Sequence, residues 1–239
     1  MVSHRRPTVA LLPGMDGTRV LFGPLVRALE GVADAHVVEY PTDGPCDYDA
    51  AMRCANEQIG GLDACHVVGW SFSGPVALRV ARAHPTRVRS VTLVATFVEA
   101  PMKWLRYVAP LLVTPVVGVA RTARRLPIWL GRAHDDPLRR DKAEIWQRVG
   151  ARTLAARSRA IRRVDASADL EQVPQPIQYL QSSRDRVVPP HNLEQILSVR
   201  DDVEVVVIDG DHFALYANAQ AGADAILAFA SRHTTAPAT

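Results

Sequence analysis

An α/β architecture, with a mostly parallel sheet flanked by helices, is what this sequence predicts, and three observations predict it. Short apolar runs recur along the chain, amphipathic helical patterns separate them, and Pro, Gly and Asp punctuate the junctions. The chain has 239 residues, of which 48% are hydrophobic, enough for one large core plus an insertion.

The first strand is predicted at residues 8–12, where Thr8-Val9-Ala10-Leu11-Leu12 opens into Pro13-Gly14-Met15-Asp16-Gly17-Thr18. Strands are expected again near 36–40, 65–70, 90–96, 176–182 and 203–208, and helical patterns fill 22–30, 48–59, 72–84, 191–199 and 215–230. Strand and helix therefore alternate, as in repeated βαβ units. The stretch between the fourth and fifth strands is too long for a bare loop in a compact domain. The expected organisation is a core of residues 1–98 and 164–239, with residues 99–163 forming a helical cap whose Met102, Trp104, Leu105, Trp129 and Trp146 are available to line a pocket.

The most informative segment is Val67-Val68-Gly69-Trp70-Ser71-Phe72-Ser73-Gly74. It joins an apolar strand to a helical pattern through a serine with small neighbours, which is what a sharp, strained strand-to-helix turn requires if it is to expose a nucleophile. Ser73 stands where such turns usually place a second glycine. A serine hydroxyl needs a base, and the imidazole of that base needs an acid to orient it. Asp185 follows the strand at 176–182 and His212 follows the strand at 203–208, so both fall at the carboxyl edge of the sheet with Ser71. Asp209 and Asp211 compete for the acid's role but lie on the histidine's own loop. Backbone donors for an oxyanion are expected from Phe72, next to the serine, and from Met15 in the glycine-containing loop after the first strand.

With these residues the chain resembles the α/β-hydrolase superfamily from Thr8 to about Arg232. The resemblance implies Ser71, Asp185 and His212 as triad, and the amides of Met15 and Phe72 as oxyanion hole. The Gly-Trp-Ser turn is similar to that of the pimeloyl-acyl-carrier-protein methyl ester esterases of biotin synthesis, in which the tryptophan lines the acyl pocket, and Trp70 matches it. Those esterases have Gly-Gly where this chain has Ser73-Gly74, and His-Gly where it has Pro13-Gly14. Small bacterial hydrolases with Leu-Pro-Gly-x-Asp-Gly-Thr and Ser-Phe-Ser-Gly are similar as well. The expected activity is that of a serine carboxylic-ester hydrolase working through an acyl-enzyme. A thioesterase or acyltransferase would share the triad, and a binding protein would share the fold.

Charge is unevenly distributed. Residues 99–163 contain 15 Lys and Arg against 5 Asp and Glu, so they carry +10 within a chain whose net charge is +3, leaving −7 elsewhere. A basic cap would steer an anionic partner, and an acidic acyl carrier protein fits. The apolar run from Tyr107 to Val119 is interrupted by Pro110 and Pro115 and is shorter than the roughly 20 residues that span a bilayer. An interfacial contact with anionic lipid is the competing partner. No nucleic-acid-binding module accompanies the charge, so nucleic acid is not expected. Cys46, Cys54 and Cys65 have neither metal-ligand spacing nor an even count, and no secretory pattern is seen, so the reading is a cytoplasmic protein with reduced thiols and no metal or organic cofactor.

Overall fold

A computed structural model describes residues 6–101 and 136–234. Six strands form one all-parallel sheet: β1 (Thr8–Leu12), β2 (Asp34–Val37), β3 (Cys65–Trp70), β4 (Val88–Val94), β5 (Ile177–Ser182) and β6 (Glu204–Ile208), in the order β2-β1-β3-β4-β5-β6. The order reverses between β1 and β3, and the carboxyl ends flanking such a switch form a crevice. β3 is central, and all six of its residues are buried, as its unbroken apolar composition requires.

Helices cover both faces. On one side α2 (Tyr48–Gly60), α3 (Gly74–Ala83), α6 (Ser167–Gln172) and α7 (His191–Val199) pack through Ala51, Ile59, Val76, Leu78, Leu170 and Ile196. On the other, α1 (Gly23–Leu29) and α9 (Ala219–Arg232) contribute Leu25, Leu29, Ala223 and Ile226. Between β4 and β5 the described chain forms α4 (Pro137–Arg148) and α5 (Ala151–Ile161) before α6. Ile145, Val149 and Leu154 join the second core together with Trp70. The short α8 (Ala214–Ala217) follows the last strand.

The elements depart from the sequence reading where tertiary contacts intervene. β2 lies at Asp34–Val37 rather than 36–40, because after Val38 the Tyr40 amide leaves the ladder and donates to the Gly17 carbonyl at 2.9 Å. β4 ends at Val94 rather than 96, since Ala95 takes a left-handed φ of 43°. The predicted helix at 72–84 begins with a 3₁₀ turn, Ser71–Ser73, and that at 215–230 is split at Asn218. α6 was not anticipated; its signal is Asp165, whose side chain accepts from Ser167 N at 3.0 Å. Of the residues expected to line a cap pocket, Met102, Trp104, Leu105 and Trp129 lie outside the described residues, as does the apolar run at 107–119. Trp146, on α4, packs against the second core. Among the described residues no helix is long and apolar enough to cross a membrane.

Candidate active site

The chain passes from β3 to α3 through Trp70, Ser71 and Phe72, and the strand's period of two breaks there: Trp70 keeps the face of Val68, but the turn that begins at Ser71 carries Phe72 to the opposite one. Trp70 goes into the core on one face of the sheet and Phe72 into the core on the other, which leaves Ser71 between them at the rim. Trp70 packs on Phe22 with ring centroids 5.5 Å apart, and Phe72 stacks on Tyr48 at 4.4 Å. Ser71 itself has a φ of 53°. A left-handed conformation costs a side-chain-bearing residue roughly 1–2 kcal/mol. The Ser71 carbonyl is secured in return by Gly74 N and by the Thr96 hydroxyl. Gly69 allows the turn to close, because a Cβ there would sit 2.6 Å from the Ser73 carbonyl oxygen and 2.7 Å from Ala77 Cβ.

Asp185 and His212 reach this point from the ends of β5 and β6. Their loops are stitched together: Ser183 N donates to Ile208 O at 2.9 Å, Arg184 N to Gly210 O at 2.8 Å, and Gly210 N to Ser183 Oγ at 3.0 Å. Asp185 Oδ1 accepts from the amides of Val187 and Val188 at 2.8 and 2.9 Å, while its Oδ2 lies 2.8 Å from His212 Nδ1. His212 Nε2 lies 3.0 Å from Ser71 Oγ. The carboxylate fixes Nδ1 as a donor, so the neutral imidazole presents Nε2 as an acceptor to the serine hydroxyl. Burial alone pushes the Asp185 carboxyl up, but the hydrogen bond and charge attraction of His212 and the two amides outweigh it and hold it below the usual carboxylate range. Asp185 is thus ionised opposite the imidazole at neutral pH.

The competing acids are engaged elsewhere. Asp209 is exposed and takes hydrogen bonds from Ser183 Oγ at 2.8 Å and from Arg184. Asp211 Oδ1 accepts from Phe213 N at 2.8 Å.

The loop after β1 faces the same rim. Gly17 N donates to the Gly14 carbonyl at 3.0 Å, and the Asp16 carboxylate, raised by burial against the hydrogen bonds of Thr18, accepts from Thr18 N at 2.9 Å and Thr18 Oγ1 at 2.6 Å. Among the described residues neither Met15 N nor Phe72 N has an acceptor. Trp70 is 2% exposed and its indole N–H has no partner among the described residues. Phe213, beside His212, stands edge-on to Trp70 with centroids 6.2 Å apart, and Lys142 of α4 lies 3.4 Å above the Phe213 ring. Tyr216 donates to Asp141 of the same helix at 2.7 Å. α4 therefore rests on the segment that carries His212. Among the described residues no group of three or more His, Cys, Asp or Glu is placed to hold a metal ion, and Cys46, Cys54 and Cys65 are free thiols.

This geometry accompanies a match to the alpha/beta hydrolase family over residues 9–225. The chain belongs to that family. The chain is similar to polyketide synthase ThaQ of Burkholderia thailandensis, 28% identical over 94% of the chain, and to pimeloyl-[acyl-carrier protein] methyl ester esterase of Neisseria meningitidis, 34% identical over 37% of the chain. The matches span 12% of the synthase's length and 36% of the esterase's. The chain also superposes on MGS-M2, an alpha/beta hydrolase enzyme from a Medee basin deep-sea metagenome library, with a TM-score of 0.75 at 14% identity, covering 97% of this chain and 91% of that one.

Sequence reasoning missed three participants in this site. Arg157 reads as a surface arginine, although Leu154 and Ile161 share its helix face and could have marked it as inward. Tyr40 and Thr96 carry no local signal, since their roles come from partners distant in sequence.

Proposed function

We propose that the protein is a serine carboxylic-ester hydrolase working through an acyl-enzyme, with Ser71, His212 and Asp185 as its triad. The observation that carries this reading is the continuous run Ser71 Oγ, His212 Nε2, His212 Nδ1, Asp185 Oδ2, with spacings of 3.0 and 2.8 Å, ending on a left-handed serine. Ser71 Oγ forms a bond to the acyl carbon while its proton passes to His212 Nε2, and the carbonyl electron pair moves to the oxygen. The unpaired amides of Met15 and Phe72 receive that oxyanion. As it collapses, the bond to the leaving oxygen breaks and His212 returns the proton to it. Water then repeats the sequence and releases the acid. Asp185 keeps the ring oriented and stabilises the imidazolium.

The substrate we assign is a carrier-linked acyl ester. Support comes from the similarity to an esterase whose name specifies a pimeloyl-carrier methyl ester, and from the excess of arginine in residues 99–163, which we read as a lid over the core. α4 and α5 support the lid, since both pack over the sheet edge that carries Ser71. Arg139 and Arg140 lie on α4 and are exposed, whereas Arg121, Arg124 and Arg125 lie outside the described residues. Trp70 is assigned to the wall of the acyl pocket. A second reading, thioesterase or acyltransferase with the same residues, is favoured by the similarity to a polyketide synthase along 94% of the chain. Labelling with a fluorophosphonate tests the common mechanism: covalent modification that Ser71→Ala abolishes is expected, and an unreactive wild-type serine would leave a binding protein of hydrolase fold. Relative kcat/KM for matched oxygen esters and thioesters then separates the two enzymes.

A further inference from the structure

The Met15 amide belongs to the peptide between Gly14 and Met15, and that peptide is held from three sides. Its own carbonyl accepts Gly17 N at 3.0 Å, which turns the oxygen into the loop and the N–H out of it. The preceding peptide is pinned at the Pro13 carbonyl by the hydroxyl of Ser73, and the following one at the Met15 carbonyl by Arg157 Nη1 at 2.9 Å. Neither outer donor is local. Ser73 comes from the nucleophile turn, and Arg157 comes from α5.

Each donor is itself oriented. Ser73 is fully buried and has one proton, which goes to Pro13, so Tyr40 must donate its own hydroxyl proton to Ser73 Oγ at 2.7 Å. Arg157 is fully buried as well, with Nη2 donating to the Pro41 carbonyl at 2.7 Å and lying 3.4 Å from Cys46 Sγ. Gly17 makes room for it: with φ at +71°, a Cβ at this position would meet Arg157 Nη1 at 2.5 Å. A buried guanidinium is costly. An apolar side chain of similar volume would avoid that cost but would leave the Met15 and Pro41 carbonyls unpaired, and a glycine in place of Ser73 would do the same to Pro13.

We infer that Ser73 and Arg157 are positioning residues for the oxyanion hole: Ser73 ties the nucleophile turn to the loop that bears the Met15 amide, and Arg157 locks that loop from α5. The inference rests on the proposed role of Ser71. It also gives a function to Ser73, the residue by which this turn differs from the usual glycine pattern. Because both amides are set before substrate arrives, the ties act on transition-state stabilisation and not on binding of the ground state.

The test compares Ser73→Ala and Arg157→Lys with wild type, using p-nitrophenyl butyrate, an alkyl trifluoromethyl ketone and the matched methyl ketone. Ser71 Oγ adds to the trifluoromethyl ketone carbon, its proton passes to His212, and the resulting oxyanion occupies the hole; the methyl ketone reports ground-state contacts. In each variant kcat should fall about tenfold with KM changed less than about twofold, and affinity for the trifluoromethyl ketone should fall in parallel while that for the methyl ketone holds. Unchanged kcat and inhibitor affinity in Ser73→Ala would overturn the inference, as would equal losses for both ketones, which mark a collapsed pocket. If Arg157→Lys melts early, Ser73→Ala decides alone, since it removes one oxygen atom. A wild-type protein whose Ser71 does not react would overturn this inference together with the proposed function, whereas a reactive wild type with unaffected variants would overturn only the inference.

Discussion

Replacing Asp185 by Asn changes one atom, and the geometry around it dictates the outcome. Oδ1 is claimed by the amides of Val187 and Val188 at 2.8 and 2.9 Å. An asparagine can satisfy those two donors only with its carbonyl oxygen, because its NH₂ group accepts nothing. The reverse orientation would forfeit both hydrogen bonds, at about 1 kcal/mol each, and set N–H against N–H. The substituted side chain must therefore point its NH₂ at His212 Nδ1, which in the native protein lies 2.8 Å from an acceptor oxygen. Nδ1 becomes an acceptor, the ring proton moves to Nε2, and the base facing Ser71 Oγ is lost.

The expected loss in kcat is about 10⁴-fold, as for the equivalent change in a known triad, or about 5 kcal/mol of activation free energy. Asp209→Asn should be nearly silent, because that carboxylate serves an exposed ion pair with Arg184, and Asp211→Asn should be mild, because asparagine can still accept from Phe213 N. Steady-state kinetics on a p-nitrophenyl ester, with melting temperatures to confirm folding, measure all three. A loss below about tenfold in Asp185→Asn, or a larger one in either of the others, would refute the tautomer argument.

Trp70→Ala should lower kcat/KM for long acyl esters more than for an acetate ester, because a short chain uses little of the pocket wall; equal losses would assign Trp70 a packing role only. His66, hydrogen-bonded to Ser90 Oγ at 2.8 Å, is pushed down from 6.5 to about 4, first by burial and then by His233 and Arg89. The unfolded chain therefore binds a proton that the folded one refuses, so His66 costs nothing above pH 6.5 and erodes stability as the pH falls from 6.5 towards 4. At about 1.4 kcal/mol per pH unit the loss approaches about 3 kcal/mol. Urea denaturation of wild type and His66→Gln over that range should diverge, and parallel curves would contradict the assignment. Reversing Arg121, Arg124, Arg125, Arg139 and Arg140 to Glu should lower kcat/KM for a carrier-linked ester while sparing a neutral p-nitrophenyl ester, with salt acting likewise as screening shortens to about 10 Å near 0.1 M; a carrier ester indifferent to both would remove the carrier from the reading.

What could be read from the sequence was what neighbours along the chain determine. β3 is legible because a central parallel strand is buried on both faces and so reads as an unbroken apolar run, and the turn after it because Gly69 and Gly74 must be small, a Cβ at either meeting helix or Thr96 atoms. Asp185 and His212 are legible because each follows a strand of a parallel sheet, and parallel strands end on one edge. The rest depends on partners far away. Tyr40 draws the end of β2 off the ladder to reach the loop that bears Gly17, and nothing between residues 36 and 40 reports that contact. Arg157 meets Met15 across 142 positions; Leu154 and Ile161 on its helix face hint that it points inward, but nothing local reports the loop carbonyls it reaches or its full burial.

Strain at Ser71, the proposed nucleophile, links the fold to the site, and it is measurable with two substitutions. Trp70 and Phe72 anchor in opposite cores, and each buried aromatic contributes more than the roughly 1–2 kcal/mol that a left-handed serine costs. Ser71 is therefore held at φ 53° by its neighbours and not by its own hydroxyl. Ser71→Ala keeps a Cβ and hence the strain, whereas Ser71→Gly releases it, at the expense of about 0.5–1 kcal/mol of extra backbone entropy in the unfolded state. Both variants lack the proposed nucleophile, so activity is not the measure that ranks them, but thermal denaturation is. Where an ordinary turn of helix would favour alanine, glycine should win here by a margin on the order of 1 kcal/mol at most, or about 1–4 °C in Tm for a chain of this size. An alanine variant more stable than the glycine one would show that Ser71 rests in its conformation without strain, and that the two anchoring cores exert no pull on it.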